Sequence, residues 1–286
     1  MTPIELGMVL LPAGVAGGWP TALCAFLFGT CIGSFLNVCI HRIPADESVV
    51  WPSSRCPGCG TPIGWYDNVP LLSWAWLRAR CRECGTHISA RYPLVEASTG
   101  ALALLAIARF GLTPWAAVVF AFTAALLLIT FIDLDHQFIP DEVSLPGIAV
   151  GLATSFLAGG VGPVNALLGA ALGGGLLWIV AWGYERATGV EGMGFGDVKL
   201  LAMIGAFVGW QAIPSIIVIA SITGSLAGFA VMLAAGASAA SGRVVHRLGM
   251  RAFLPFVRRR ARRTAIPFGP FLAIGAVAAI YLPPLL

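Results

Sequence analysis

Long apolar runs, most of them free of charged residues, are the feature that most restricts the fold of this chain. Of its 286 residues, 58% are hydrophobic and only 10% are charged, whereas soluble domains carry about 25% charged residues. A helix needs about 20 consecutive apolar residues to cross the ~30 Å hydrocarbon layer of a membrane. Eight such runs can be traced, so we expect an all-α polytopic membrane protein with about eight transmembrane helices.

The basic residues predict how these helices are oriented. Six of the 17 Lys and Arg residues lie between residues 42 and 91, and eight lie between residues 243 and 263. Cytoplasmic loops are enriched in Lys and Arg, so both segments are expected in the cytoplasm. A polybasic loop between spans marks topology or contacts anionic lipid more often than it binds nucleic acid, and we expect no nucleic-acid partner. The predicted spans cover residues 20–40, 93–110, 113–132, 145–158, 164–182, 197–210, 213–235 and 267–282.

Four cysteines in the first polar segment form a second strong signal. Cys56 and Cys59 make one CxxC motif, and Cys81 and Cys84 make another. Four thiolates at this spacing match a tetrahedral structural zinc site, and a segment of about 50 residues is too small for a hydrophobic core alone to hold it. Two disulfides are the alternative, but they require an oxidising compartment, which the arginines argue against. The predicted domains are residues 1–40 with the first span, a zinc-stapled cytoplasmic module at 41–92, and a transmembrane domain at 93–286.

Three polar features around this module are also informative. The aromatic stretch at residues 65–74 fits a small-molecule pocket, the core of the module, or its seat on the membrane surface. Glu96, near the start of the second span, either caps a helix or contributes to a site at the cytoplasmic surface. Asn37, within the first span, is expected to hydrogen-bond a neighbouring helix.

Carboxylates at two predicted helix ends provide the candidate active site. Asp133 is the first acid after the third span, and Asp197 opens the sixth span behind Gly194 and Gly196. An ionisable group in a membrane helix is costly and usually functional. Six spans, an even number, separate the two basic segments, so alternation places both acids at the cytoplasmic face. The glycines allow an extended substrate backbone to approach Asp197 closely.

A pair of close carboxylates has a defined chemistry. The two groups share one proton, so the pair offers a base that activates water and an acid that protonates the amide under attack. This is the chemistry of an aspartic protease. Asp135 and Asp141 compete with Asp133 as the partner of Asp197. Lys199 supports a different function, because a lysine paired with an intramembrane acid suits an ion-coupled transporter, although the chain shows none of the internal repeats that transporters have.

These motifs, in this order, resemble those of the type IV prepilin peptidases, GxGD-type membrane aspartic proteases that process type IV pilins and type II secretion pseudopilins. The resemblance extends over nearly the whole chain. It rests on residues 33–38, the paired CxxC motifs, and residues 65–74, 91–96, 133–141 and 194–197.

The resemblance implies a function for each part. Asp133 and Asp197, supported by Gly194, Gly196 and Lys199, would remove a short basic leader after a glycine at the cytoplasmic face of the bacterial inner membrane. The large first loop with its cysteines implies a second activity, methylation of the new N-terminal residue with S-adenosylmethionine as the donor. Relatives without that loop are peptidases only, so a peptidase without methyltransferase activity is the alternative. Prepilins or pseudopilins are the implied substrates and membrane lipids the other partners, while the residues that bind the methyl donor are not indicated.

Overall fold

The structure, a computed structural model, describes residues 18–189, 194–240 and 267–282. Residues 1–17, Gly192 and Met193 beside the predicted catalytic motif, and the basic run at 243–263 lie outside the described residues. The described part is helical, as predicted, and we number its α-helices in chain order. They are α1 Gly18–Arg42, α2 Leu72–Trp76, α3 Arg91–Phe110, α4 Pro114–His136, α5 Asp141–Thr154, α6 Pro163–Thr188, α7 Phe195–Val208, α8 Ile213–Ala240 and α9 Gly269–Tyr281.

All eight predicted spans form helices, but the helices differ in length. Among the described residues, α1, α3, α4, α6 and α8 are long and apolar enough to cross a membrane. The helices α5, α7 and α9 have 14, 14 and 13 residues, and at 1.5 Å per residue each extends over only about 20 Å. The structure therefore has five candidate membrane spans and three shorter helices packed among them.

Glycines bring two pairs of helices into close contact. A Cβ atom on Gly29 of α1 would lie 2.8 Å from the Cβ of Ala103 and from the Cα of Gly100, both in α3. Similarly, a Cβ atom on Gly173 of α6 would lie 2.5 Å from the carbonyl oxygen of Leu201 in α7. Small residues permit such approaches, and van der Waals packing then stabilises helix pairs within a membrane. The pairs α1–α3 and α6–α7 are therefore held together by backbone contact.

The central helix is α4, which contributes to both hydrophobic clusters. One face packs Leu128 and Ile132 against α1 and α3. The other face packs Phe122, Leu126 and Ile129 against α7 and α9. Because the last turn of α4 carries Asp133, this packing positions one predicted catalytic acid at the junction of the two clusters.

Six helix ends meet at the side of the bundle that carries the loop between α1 and α3, which we call the module face. The ends of α1 and α4 lie there, together with the starts of α3, α5, α7 and α9. Asn37 of α1 donates a hydrogen bond to the carbonyl oxygen of Tyr92 in α3 at 3.1 Å, which confirms its predicted link to a neighbouring helix. The Tyr92 hydroxyl lies 3.0 Å from Nε2 of His41, so the end of α1 is joined to the start of α3.

Candidate active site and metal centre

The structure places the two predicted catalytic acids close to each other. Asp133 lies in the last turn of α4 and is only 5% exposed. Asp197 lies in the first turn of α7 and is partly buried. Ile139 packs against both Gly196, the residue before Asp197, and Gly269, which bonds Asp133. The two acids are 64 positions apart in the sequence, so their proximity depends on α4 ending and α7 starting at the same face.

A third helix end completes this corner of the molecule. The backbone N–H of Gly269, the first residue of α9, donates a hydrogen bond to Oδ2 of Asp133 at 3.0 Å. A Cβ atom on Gly269 would lie 2.5 Å from the same oxygen, so a larger residue would displace either the helix or the carboxylate. The sequence analysis missed Gly269. The available signal was a glycine between Pro267 and Pro270, since prolines there restrict where the helix begins.

The loop between α4 and α5 fills the remaining space beside the acids. Its Ile139 is buried, and a Cβ atom on Gly196 would lie 3.0 Å from the Cβ of Ile139. Ile139 also packs against Gly269, because a Cβ atom added to Gly269 would lie 3.5 Å from Cδ1 of Ile139. The absence of a side chain at Gly196 therefore permits close packing of α7 against this loop. Gly194 has open space around it, so close packing does not account for a glycine there.

The other candidate residues near the dyad have different partners. Asp135 receives a hydrogen bond from the Arg91 guanidinium at 2.5 Å, and the same guanidinium bonds the carbonyl oxygen of Phe131 at 3.0 Å. Asp141 forms an ion pair with Lys199. Both rivals of Asp133 are therefore engaged in ion pairs, and Lys199 is paired with Asp141 across the starts of α5 and α7.

The four cysteines of the two CxxC motifs form one cluster. Their sulfur atoms all lie within 4.8 Å of one another, and the sulfurs of Cys56 and Cys84 are 3.7 Å apart. Four thiolates around one zinc ion at Zn–S distances of about 2.3 Å have sulfurs about 3.8 Å apart, and a disulfide has an S–S distance of about 2.05 Å. The cluster therefore fits a tetrahedral zinc ion better than two disulfides.

The two CxxC motifs adopt the same local structure, 25 positions apart. Cys56 N–H bonds the carbonyl of Thr61 at 2.9 Å, and Cys81 N–H bonds that of Thr86 at 2.9 Å. Gly60 and Gly85 have φ values of 73° and 69°, a left-handed conformation that glycine adopts without strain. The Thr61 hydroxyl lies 3.3 Å from the Cys59 sulfur and the Thr86 hydroxyl lies 3.1 Å from the Cys84 sulfur, so an equivalent threonine contacts the second cysteine of each motif.

Most of the aromatic residues of this module are exposed. Trp65 is 83% exposed and Tyr66 is exposed beside it, which excludes these two rings as a packed core. The Arg82 guanidinium bonds Asp67 at 2.8 and 2.5 Å, and this hydrogen bonding holds the pKa of Asp67 below its usual value. Trp74 is the exception, because its indole N–H donates to the carbonyl of Ile88 at 3.1 Å and joins the two halves of the module.

Glu96 connects the module to the membrane helices. It is buried, and its Oε2 accepts a hydrogen bond from the backbone N–H of Leu71 at 2.8 Å. A Cβ atom on Gly33 of α1 would lie 2.7 Å from the Cα of Glu96, so this part of α3 packs directly against α1. Glu96 therefore does not cap the start of α3, and it holds the loop before α2 in place.

Comparison with known proteins gives consistent matches across the chain. The model of the type IV leader peptidase family matches residues 120–229, and that of the bacterial peptidase A24 N-terminal domain matches residues 27–110. A prepilin leader peptidase/N-methyltransferase of Aeromonas hydrophila is 39% identical over 280 residues, covering 89% of this chain and 88% of that protein. One from Burkholderia pseudomallei (strain K96243) is 36% identical over 282 residues, covering 90% and 84%.

A third relative is longer than this chain. The prepilin leader peptidase/N-methyltransferase of Myxococcus xanthus (strain DK1622) is 44% identical over 219 residues, which cover 75% of this chain and 64% of that protein. No solved structure gives a significant match.

Proposed function

This chain belongs to the type IV leader peptidase family, and from that premise we propose that it cleaves prepilins or pseudopilins and methylates the N-terminus that cleavage exposes. The observation that carries the peptidase assignment is the meeting of Asp133, Asp197 and the Gly269 amide at one corner of the bundle. The curated relatives bear both activities in their names. The transporter alternative is not favoured, because the curated relatives are named for peptidase and methyltransferase activities and because Asp141, the acid that Lys199 pairs with, is 52% exposed at a helix start and is not an intramembrane group.

Cleavage uses the two carboxylates as a unit that shares one proton. The ionised carboxylate takes a proton from a water molecule, whose oxygen forms a bond to the scissile carbonyl carbon. The other carboxyl group gives its proton to the carbonyl oxygen. When the C–N bond breaks, the carboxyl group that took the proton from water gives it to the leaving nitrogen, and the other carboxylate takes back a proton from a hydroxyl of the tetrahedral intermediate. The products are a leader with a new carboxyl group and a chain with a new amine, and the dyad again holds one proton. No residue becomes covalently attached to substrate.

The Gly269 amide holds the Asp133 carboxylate in place. Its N–H donates to Oδ2, which fixes the orientation of the carboxylate that shares the proton with Asp197. Gly196 is packed against Ile139, whereas Gly194 has open space around it, and the substrate backbone approaches the dyad at Gly194. The site lies at the module face, which the arginines assign to the cytoplasmic side of the bacterial inner membrane. A basic leader cut after a glycine at that side is the substrate that the family resemblance implies.

The module would support the methyl transfer. Its exposed Trp65 and Tyr66 rings, with the Arg82 guanidinium 5.7 Å from the Tyr66 centroid, fit the methyl donor, because aromatic faces stack on adenine and attract a sulfonium cation. Bound there, S-adenosylmethionine supplies the methyl group for the new amine. The four cysteines, with structural zinc, hold the two knuckles that frame this aromatic pair.

One assay tests both activities. Purified full-length protein in detergent is mixed with a prepilin peptide that contains the leader and the start of the apolar helix, with and without S-adenosylmethionine, and the products are weighed by mass spectrometry. We expect the leader to be released under both conditions, and the mature fragment to gain 14 mass units, one methylene, only with the donor, as methyl replaces hydrogen. An intact peptide would overturn the peptidase assignment, and a mature fragment of unchanged mass would make the protein a peptidase alone.

A further inference from the structure

The short helix α2 exposes two large apolar side chains on one side. Leu72 and Trp76, its first and last residues, are 68% and 82% exposed. Residues four apart in a helix lie on the same face, so the two side chains form one apolar surface, which we call the α2 surface. A small polar module gains nothing from exposing such residues to water, and adjoining exposed apolar groups mark a protein or membrane contact.

The start of α2 is attached to the sides of α1 and α3, about two helical turns deeper in the membrane than their ends at the module face. The backbone N–H of Leu71, the residue before α2, donates a hydrogen bond to Glu96. Glu96 lies five residues after Arg91, the first residue of α3, which is a rise of about 7.5 Å along the helix axis. Glu96 also packs against Gly33 of α1, where an added Cβ atom would lie 2.7 Å from the Cα of Glu96, and Gly33 lies nine residues before the end of α1 at Arg42, a rise of about 13.5 Å. Helical side chains lean towards the helix N-terminus, which brings the carboxylate nearer to the surface, but the contact with Gly33 keeps Glu96 alongside α1. Since α1 and α3 are both candidate spans, α2 begins at the depth of their outer turns.

The residues that follow α2 are suited to the same depth. Arg78 and Arg80 are exposed and come directly after the helix. An apolar face with Trp and Leu next to arginines is the composition of segments that lie in the interfacial layer of a bilayer, where the arginines meet anionic headgroups. Trp is also enriched at that layer.

We propose that α2 is an interfacial anchor: Leu72 and Trp76 enter the leaflet on the module face, and Arg78 and Arg80 contact its anionic headgroups. The bilayer is favoured over the apolar helix of a substrate because α2 is attached through Glu96 to the α1–α3 pair, whereas the dyad lies among α4, α7 and α9. The anchor keeps the module against the membrane surface, so that the aromatic pair Trp65 and Tyr66 and the two acids of the dyad all lie near the same interfacial layer. This inference concerns the resting protein and does not depend on the proposed activities.

Photocrosslinking tests the anchor directly. The photoreactive amino acid p-benzoylphenylalanine replaces Trp76 in one variant and Trp51 in a control variant, and each full-length protein is reconstituted into vesicles of phosphatidylcholine with phosphatidylglycerol. Trp51 is a matched control because it is also an exposed tryptophan, at 75%. Its loop, however, is attached at the very end of α1, where the Arg42 guanidinium donates a hydrogen bond to the carbonyl oxygen of Pro52 at 2.7 Å. We expect lipid adducts at position 76 to exceed those at position 51 several-fold.

Two outcomes would overturn the anchor. One is an equal yield of lipid adducts at the two positions. The other is an adduct at position 76 that forms with an added prepilin peptide in preference to lipid, which would make the α2 surface a substrate contact. As a second measurement that changes no apolar residue, an Arg78→Gln/Arg80→Gln variant should lower the lipid adduct at position 76 in anionic vesicles but leave it unchanged in pure phosphatidylcholine. An unchanged yield in both would remove the headgroup contact from the proposal.

Discussion

The cysteine cluster and the carboxylate pair lie near the same face of the molecule but are built in different ways. The cluster comes from two copies of one local turn, each of which positions its own cysteines through bonds between residues five apart, as from Cys56 to Thr61. The carboxylate pair has no local structure of its own. Asp133, Asp197 and Gly269 come from α4, α7 and α9, and they meet only because those helices pack around a shared core. A substitution in the cysteine cluster should therefore disrupt only the module that the cluster holds together. A small displacement of α4, α7 or α9 should instead lower the activity of the carboxylate pair, because each of these helices positions part of the site.

Substitution of the two acids of the dyad should distinguish the carboxylate pair from the cysteine cluster most clearly. Asp133→Asn or Asp197→Asn removes the shared proton, and general acid–base catalysis contributes about 10²–10⁴-fold, so we expect peptide cleavage to fall about a thousandfold or more. Zinc content, measured by atomic emission, should stay at one ion per chain. Asp135→Asn is the matched control: it breaks the pair with Arg91 on the same helix end and should change cleavage only a few-fold. Near-normal cleavage by either dyad variant would disprove the catalytic pair.

The converse experiment removes the metal. Cys81→Ser should release zinc and open residues 43–90 to added protease, because structural zinc contributes about 10–16 kcal/mol of binding free energy in small zinc domains. Methyl transfer should be lost with it, while leader cleavage persists. Cys24→Ser, at an exposed position in α1, is the control and should retain the metal. If both variants hold zinc equally, the four-cysteine site is wrong, and if Cys81→Ser abolishes cleavage too, the two regions are not separable.

A glycine comparison measures how closely the dyad depends on packing. Gly269→Ala would put a Cβ atom 2.5 Å from Oδ2 of Asp133, and Gly275→Ala, also in α9, would put one 2.8 Å from the carbonyl oxygen of Ile216 in α8. Both strain α9, but only the first displaces the carboxylate of Asp133. A misplacement of about 1 Å can cost about a hundredfold in rate, so we expect kcat to fall by about that factor for Gly269→Ala with KM little changed. Equal kcat values for the two variants would mean that the Gly269 amide only packs.

The smallest effect is expected at the Asp141–Lys199 ion pair. Its side chains are 52% and 21% exposed, and an ion pair of this kind contributes about 0.2–1 kcal/mol. Asp141→Asn and Lys199→Met should each lower the Tm slightly, with cleavage within a few-fold of the unchanged protein. The double variant should lose little more than either single one, because both remove the same interaction. A loss of cleavage as large as that for Asp197→Asn would place Lys199 among the catalytic groups.

The sequence alone determined what depends on local composition and spacing. Apolar runs formed helices, because a chain in lipid must satisfy its backbone hydrogen bonds within each segment. The CxxC pairs, separated by 21 residues in the sequence, identified a four-cysteine cluster that fits a metal, because ligand spacing is itself local. Charge and the count of spans also placed Asp133 and Asp197 at one face, since alternation requires nothing more than an even number of crossings.

Tertiary structure decided which groups are in contact. It joined Asp135 to Arg91 and Asp141 to Lys199, and it brought the Gly269 amide to Asp133 across 136 positions of the chain. It also showed Glu96 holding Leu71, and it showed that three of the eight predicted spans form helices too short to cross a membrane. The physical reason is that contacts between helices depend on crossing angles and on where glycines permit close approach, and neither leaves a periodic signal in the sequence.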